Sequence, residues 1–433
     1  MMRVIFLGRR RRPYMTYALI LANVLVYLLT SLENSLVETS SAWIETLAYV
    51  PTLSTSPRQW YRLLSSMFTH ADFFHIFFNM YFLYIFGREV EVRLGRSRYL
   101  LLYLLSGLAA TAFHTAFTPV SGSLGLVIPT VGASGAISGI LASHMFMFPG
   151  RRLAAWIFPL PPVVISSSYY LLLWFAMQVG YGYARFETGT AFFAHAGGFV
   201  AGISLLYLLL KRAGYHPPAE HGGLGAVPKV AMSLLVLALA GGAVYSFLAA
   251  SRLTGVYLFQ LHTVRDGHSS EDQAVYTMFE NETVSPSRGD PRVVFNRFVW
   301  SGLLQYRPSY TNPNFEISTT VVPPGASIEL NLSVRGSIKY NSSEILESFE
   351  GKVLTDVLLT DPLGRLRGIE RDVEYTVSIS SEEVAGNVGR IVVSPLALLS
   401  AVTAVASFII TATRSDELVA REPHPSGWPV VPI

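Results

Sequence analysis

Two side chains set the chemistry this sequence can attempt: a serine between small residues and a histidine inside an apolar run. The segment Gly132-Ala133-Ser134-Gly135 offers a hydroxyl where glycines let the backbone turn sharply and let a substrate carbonyl come close. Those are the conditions a serine nucleophile needs for acyl transfer. Gly135 and Gly139 also form a G-x-x-x-G pair suited to close helix packing, and both readings hold together. His195 lies in Ala194-His195-Ala196-Gly197-Gly198, and an ionisable group inside a bilayer helix is costly enough to point to function. Gly198 and Gly202 repeat the small-residue spacing, with Gly198 on the helix face of His195. Two helices notched in this way can approach until the imidazole reaches the Ser134 hydroxyl. A neutral His195 would then accept the serine proton and later return it to a leaving amine.

A third cluster runs Thr69-His70-Ala71-Asp72-Phe73-Phe74-His75, and Asn79 follows His75 by four residues, on the same helix face. His75, Asn79 and the backbone around Gly132 and Ser134 are candidates to stabilise an oxyanion. Metal binding competes, because His70 and His75 are close. No cysteine completes a ligand set, and Asp72 would point away from His75 on a helix, so no metal and no cofactor is expected.

Composition says which elements must hold these groups. Of 433 residues, 51% are hydrophobic and 14% charged, and the mean hydropathy is +0.40, more apolar surface than a water-soluble fold buries. The partner implied is a lipid bilayer. A net charge of +3, with arginines in short clusters beside apolar runs rather than along one stripe, argues against nucleic acid. With no cysteine, disulfides and thiol chemistry are excluded. A bilayer core needs roughly 20 apolar residues per helix, and eight spans fit that rule, at 14–32, 73–86, 99–117, 134–148, 163–181, 190–210, 227–249 and 391–412. The second and fourth are short, as helices inside a bundle can be.

Arginine placement tests this count. Arg9 to Arg12 precede the first span; Arg88, Arg93, Arg96 and Arg98 follow the second; Arg151 and Arg152 follow the fourth; Lys211 and Arg212 the sixth; Arg414 the eighth. All fall on one side, while 118–133 on the other side carries no charge. The positive-inside rule then puts both termini in the cytoplasm, with the cell membrane as the expected location. The stretch 9–30 has the charge and length of a signal peptide but no small-x-small cleavage site, and is read as a retained helix.

The polar stretch 251–390 differs in character. Alternating runs at 315–322, 327–334 and 373–379 read as half-buried strands, with Pro323-Pro324-Gly325 and Asp361-Pro362-Leu363-Gly364 as turns. A small β-sandwich-like domain outside the cell is expected there. Sequons at Asn281, Asn331 and Asn341 agree with an exterior location. The organisation expected is a mainly α, polytopic helix bundle: a six-helix core over 1–212, a cytoplasmic linker and seventh helix over 213–250, the β-rich domain over 251–390, and an eighth helix with a cytoplasmic tail over 391–433.

G-x-S-G, a later histidine followed by glycine at three and seven residues, and a preceding H-x-x-x-N together resemble the rhomboid family of intramembrane serine proteases. The resemblance covers 14–210 and takes in Trp60-Tyr61-Arg62, similar to the W-R element of the family's first outer loop. It implies Ser134 as nucleophile, His195 as base, and His75 and Asn79 lining the oxyanion hole. It further implies hydrolysis of peptide bonds in or near transmembrane segments of other proteins through an acyl-enzyme. The fifth span, after Pro159-Leu160-Pro161-Pro162, resembles the family's lateral gate in position, although those prolines equally suit a helix start. Two departures stand out. Some members carry an aromatic ring one turn after the nucleophile, packed on the histidine, where this chain has Ser138, and the family core does not include 251–390 or its flanking helices. The alternatives are a catalytically silent relative that binds membrane clients, and a sensor whose outer domain binds a ligand. The sequence sets no oligomeric state.

Overall fold

A computed structural model describes residues 12–155, 163–186, 189–213, 223–265, 268–279, 285–286, 311–321, 330–340, 346–360, 366–419 and 431–432. The chain divides into two compact units, a helical one formed by Met1–Ser251 and Arg390–Ile433, and a β unit, Arg252–Gly389. The expected Arg9 to Arg11, Pro159 to Pro162, Asn281, Asn341 and both turn motifs lie outside the described residues.

In the helical unit, α1 (Tyr14–Ser31) leads through the short α2 (Ser41–Leu47) and α3 (Arg62–Ser65) to α4 (Phe73–Phe82). A π-helical turn at Leu83–Gly87 then carries the chain into α5 (Arg88–Leu94). Next come α6 (Arg96–Ala116), α7 (Thr118–Ser121), α8 (Ser134–Met147), α9 (Ser167–Tyr183), α10 (Phe192–Arg212), α11 (Ala226–Ala249) and α12 (Ser394–Arg414). Of these, α1, α6, α10, α11 and α12 are long and apolar enough to cross a membrane. Their outward faces carry large apolar side chains, such as Leu25 and Leu29 on α1, Leu234 and Leu237 on α11, and Val402 and Ile409 on α12. Water would not tolerate such a surface, and lipid does.

The remaining spans are shorter for a visible reason. α8 has 14 residues, and every one from Gly135 to Met147 is buried, so protein rather than lipid surrounds it. The second span runs on past Phe86 to Leu94. The fifth begins later than the sequence suggests: Val163–Ser166 form a strand, β2, paired antiparallel with β1 (Arg152–Ala155), and the helix starts only at Ser167. The β-branched run Val163-Val164-Ile165 suits an extended ladder better than a first helical turn.

Polar tethers fix the chain where it leaves the helices. Glu91, buried, accepts from the backbone N–H groups of Met15 (2.9 Å) and Thr16 (2.7 Å) and from the Thr16 hydroxyl (2.8 Å). A carboxylate from α5 thereby satisfies the free donors at the start of α1 and faces the positive end of its dipole. Arg62 donates from Nη1 to the carbonyls of Glu45 (2.6 Å) and Ala48 (2.9 Å), closing the carbonyl end of α2. Trp60 and Tyr61 donate to the carbonyls of Ser54 (3.0 Å) and Thr46 (2.7 Å), so the W-Y-R element ties its own loop together.

The β unit contains β3 (Leu253–Arg265), β4 (His268–Phe279), β5 (Ser285–Pro286), β6 (Thr311–Val321), β7 (Leu330–Tyr340), β8 (Leu346–Thr360) and β9 (Leu366–Gly386). The β-rich domain expected here is present, with its described strands joined in one antiparallel sheet of order β5-β4-β3-β9-β8-β7-β6. In β7 the residues Leu330, Leu332, Val334, Ile338 and Tyr340 are buried, the period of two that marks a strand with one covered face. Asn331 lies exposed on the other face of that strand. A short β10 (Val431–Pro432) pairs parallel with β1 in the helical unit.

Candidate active site

The backbone that delivers Ser134 is pinned at three successive points. Thr130 exchanges hydrogen bonds with Tyr49, the Gly132 N–H donates to the Ser66 carbonyl at 2.9 Å, and the Ala133 N–H reaches His70 Nε2 at 3.4 Å. Gly132 has φ of +120°, a backbone conformation that side-chain-bearing residues rarely adopt. A Cβ at this position would stand 2.6 Å from His75 Nε2. Glycine is required there twice over, once for the turn and once for space. Ser134 then opens α8, where backbone N–H groups have no acceptor within the helix and the dipole favours negative charge.

α10 meets α8 along glycines. A side chain on Gly198 would collide with the Gly135 carbonyl, and one on Gly202 would come within 2.5 Å of the Gly139 backbone. The pairing 135 with 198 and 139 with 202 means that the two helices run parallel, so their first turns lie side by side. This brings His195 Nε2 to 2.7 Å from Ser134 Oγ, hydrogen-bond distance for a nucleophile and its base. Both residues are half-buried, not sealed.

His75 occupies the opposite wall. Asp72 caps α4 by accepting from the His75 N–H at 2.8 Å, and His75 Nδ1 accepts from the Ala71 N–H at 3.4 Å, which leaves Nε2 pointing at Gly132. His70 packs edge-on against His75 with ring centres 5.1 Å apart. Asn79 sits on the same wall, but its Nδ2 donates back to the His75 carbonyl at 2.8 Å, within its own helix. Its Oδ1 is buried and has no hydrogen-bond partner. Ser138, where an aromatic ring would sit in some rhomboids, bonds the Ser134 carbonyl at 2.7 Å.

Two residues that the sequence motifs do not single out complete the surroundings of His195. Gln178 Oε1 lies 2.8 Å from His195 Nδ1, and the Trp174 ring stacks on the imidazole at 5.9 Å between centres with an angle of 29°. Both come from α9, four residues apart and so on one face. A signal for Gln178 exists in the sequence: it is an amide in an otherwise apolar span, the kind of residue that marks a site within a membrane.

Residues 57–212 match the family model described as Rhomboid domain. Over 141 residues, a third of this chain, the sequence is 30% identical to Rhomboid protein 1, mitochondrial, of Saccharomyces cerevisiae. It is 29% identical over 144 residues to Rhomboid protease GluP of Bacillus subtilis, and 32% identical over 178 residues to Rhomboid-type serine protease 2 of Emericella nidulans. The matched segments span 39%, 26% and 32% of those proteins' own lengths, respectively. All of these similarities fall on part of the chain, and the matched stretch holds the Ser134 and His195 segments: residues 57–212 of this chain are similar to the rhomboid domain.

Proposed function

We propose that the protein is an intramembrane serine endopeptidase that cleaves transmembrane protein substrates, with Ser134 as nucleophile and His195 as general base. The observation that carries this reading is the 2.7 Å contact between Ser134 Oγ and His195 Nε2 at the notched ends of two helices. In the proposed cycle Ser134 Oγ attacks the scissile carbonyl carbon while its proton passes to Nε2. The tetrahedral oxyanion is met by the Ser134 N–H at the start of α8 and by His75 Nε2–H across Gly132. Collapse breaks the C–N bond, and the imidazolium gives its proton to the departing amine. Water, activated by the same imidazole, then hydrolyses the acyl-enzyme and frees Ser134. Asn79 joins the oxyanion donors once its Nδ2 turns away from the His75 carbonyl.

Arginine placement supports an orientation in which the ends of α8 and α10 that carry the dyad face outward, both termini are cytoplasmic, the β unit lies outside and the bilayer is the cell membrane. The half-buried dyad then has a route to water, which hydrolysis needs. A substrate helix has to unwind locally to present its peptide bond, so small or helix-breaking residues near the cut are expected.

The test is cleavage of a transmembrane reporter by the purified full chain in proteoliposomes, beside Ser134→Ala and His195→Ala, with labelling by a serine-directed fluorophosphonate. Wild type cleaves and is labelled, and both variants do neither. Cleavage retained in either variant removes the dyad mechanism. A wild type that binds the reporter yet is neither labelled nor active would instead be a silent relative.

A further inference from the structure

The geometry points to Gln178 as a positioning residue that holds His195 in the tautomer able to accept the Ser134 proton, a role that rests on the dyad reading above. An imidazole can take a proton at Nε2 only if its own hydrogen sits on Nδ1, and an Nδ1–H within a protein interior needs an acceptor. Gln178 Oε1 supplies it at 2.8 Å, while Nε2 lies 2.7 Å from the serine oxygen. Gln178 is 7% exposed, so bulk water does not replace its amide. Trp174, one turn earlier on α9, stacks on the same ring with centres 5.9 Å apart. The aromatic contact that Ser138 cannot make from α8 is thus made from α9, and so is the hydrogen bond.

This arrangement differs from a carboxylate-supported imidazole in one chemical respect. A neutral amide fixes the tautomer without stabilising the imidazolium by a full charge, so the protonated ring passes its proton on readily to the leaving amine. It also makes competence of the base depend on the seating of α9. Phe175 and Val179, the residues beside the two supports, are buried, and Phe175 stacks on Phe199 of α10 with centres 4.4 Å apart, which holds the helix in place.

Gln178→Leu and Gln178→Glu in the full chain, assayed on the same reporter, test the assignment. The leucine variant keeps the bulk and loses the acceptor: kcat should fall about tenfold or more with KM unchanged within about twofold. Glutamate restores an acceptor oxygen, so kcat should recover. Its charge should also raise the basicity of His195 and move the acidic limb of the pH profile to higher pH, because the base works only when neutral. In Ser134→Ala protein with 15N-labelled histidine, the Nδ1–H signal of His195 should weaken when leucine replaces Gln178. A leucine variant with kcat within about twofold of wild type, or a glutamate variant no more active than leucine in protein of normal thermal stability, overturns the role of Gln178. If Ser134→Ala itself cleaves, the dyad reading has failed instead.

Discussion

Two imidazoles sit at opposite ends of α8, and the protein treats them differently. At the first turn, His195 of α10 lies between a serine hydroxyl, a neutral glutamine and a tryptophan face, half-buried and with no carboxylate among its hydrogen-bond partners. At the last turn, His144 is fully buried, its Nε2 is 3.2 Å from Glu89 Oε2, and Glu89 Oε1 receives Arg151 at 2.6 Å. Phe86 and Phe148 close over that ring at 4.9 and 5.1 Å. The charged network ties α5, α8 and the chain beyond α8 into one piece. A histidine bound to a carboxylate between packed helices is a fastener; one whose Nε2 meets a serine hydroxyl is placed to exchange a proton with it.

The sharpest way to break this contrast is to exchange the losses. His195→Ala should lower kcat about 10⁴-fold while costing only about 1–3 kcal/mol of stability, for the Gln178 acceptor left unpaired. A variant that unfolds instead would make His195 a structural residue. Gly198→Val should come next: the added methyls meet the Gly135 carbonyl, and overpacking of this kind costs about 1–3 kcal/mol. Serine labelling should drop with stability, since separating the helices separates Oγ from Nε2; labelling at the wild-type rate would show that the glycine contact does not set the dyad distance. Glu89→Ala should cost about 1–3 kcal/mol by stripping His144 and Arg151 of their shared partner, with kcat per folded molecule unchanged. A selective loss of kcat there would erase the distinction between the two histidines. Ser138→Ala should be the mildest, within about 0.5 kcal/mol and without effect on kcat, because its hydroxyl serves only a carbonyl of its own helix. A large kcat loss would mean that it, and not α9, orients the base.

Much of the candidate site is legible in the amino-acid sequence. The intramembrane hydroxyl and imidazole, the glycine spacing that lets their helices meet, and the His75 and Asn79 pair all follow from identity and period alone. Those are local properties: residues four apart on a helix share a face whatever the rest of the chain does. The polar stretch 251–390 is equally visible, because a change from apolar runs to period-two alternation needs no tertiary information.

Other features had to wait for packing. The sequence places Asn79 on the His75 face but cannot say that its amide turns back to the His75 carbonyl, since rotamer choice depends on what fills the cavity. It cannot pair Gln178 with a histidine 17 positions away, or Glu91 with the N–H groups of α1 some 75 positions before it, because such contacts depend on how helices cross. The start of α9 shifted to Ser167 for a similar reason, as the preceding residues found strand partners in β1. Residue identity and period were enough to mark the segments apolar enough for a bilayer and the polar side chains that are costly within them. Which of those side chains touch came from the packing, because in a bundle the helix axes, not the order of residues along the chain, bring donors to acceptors.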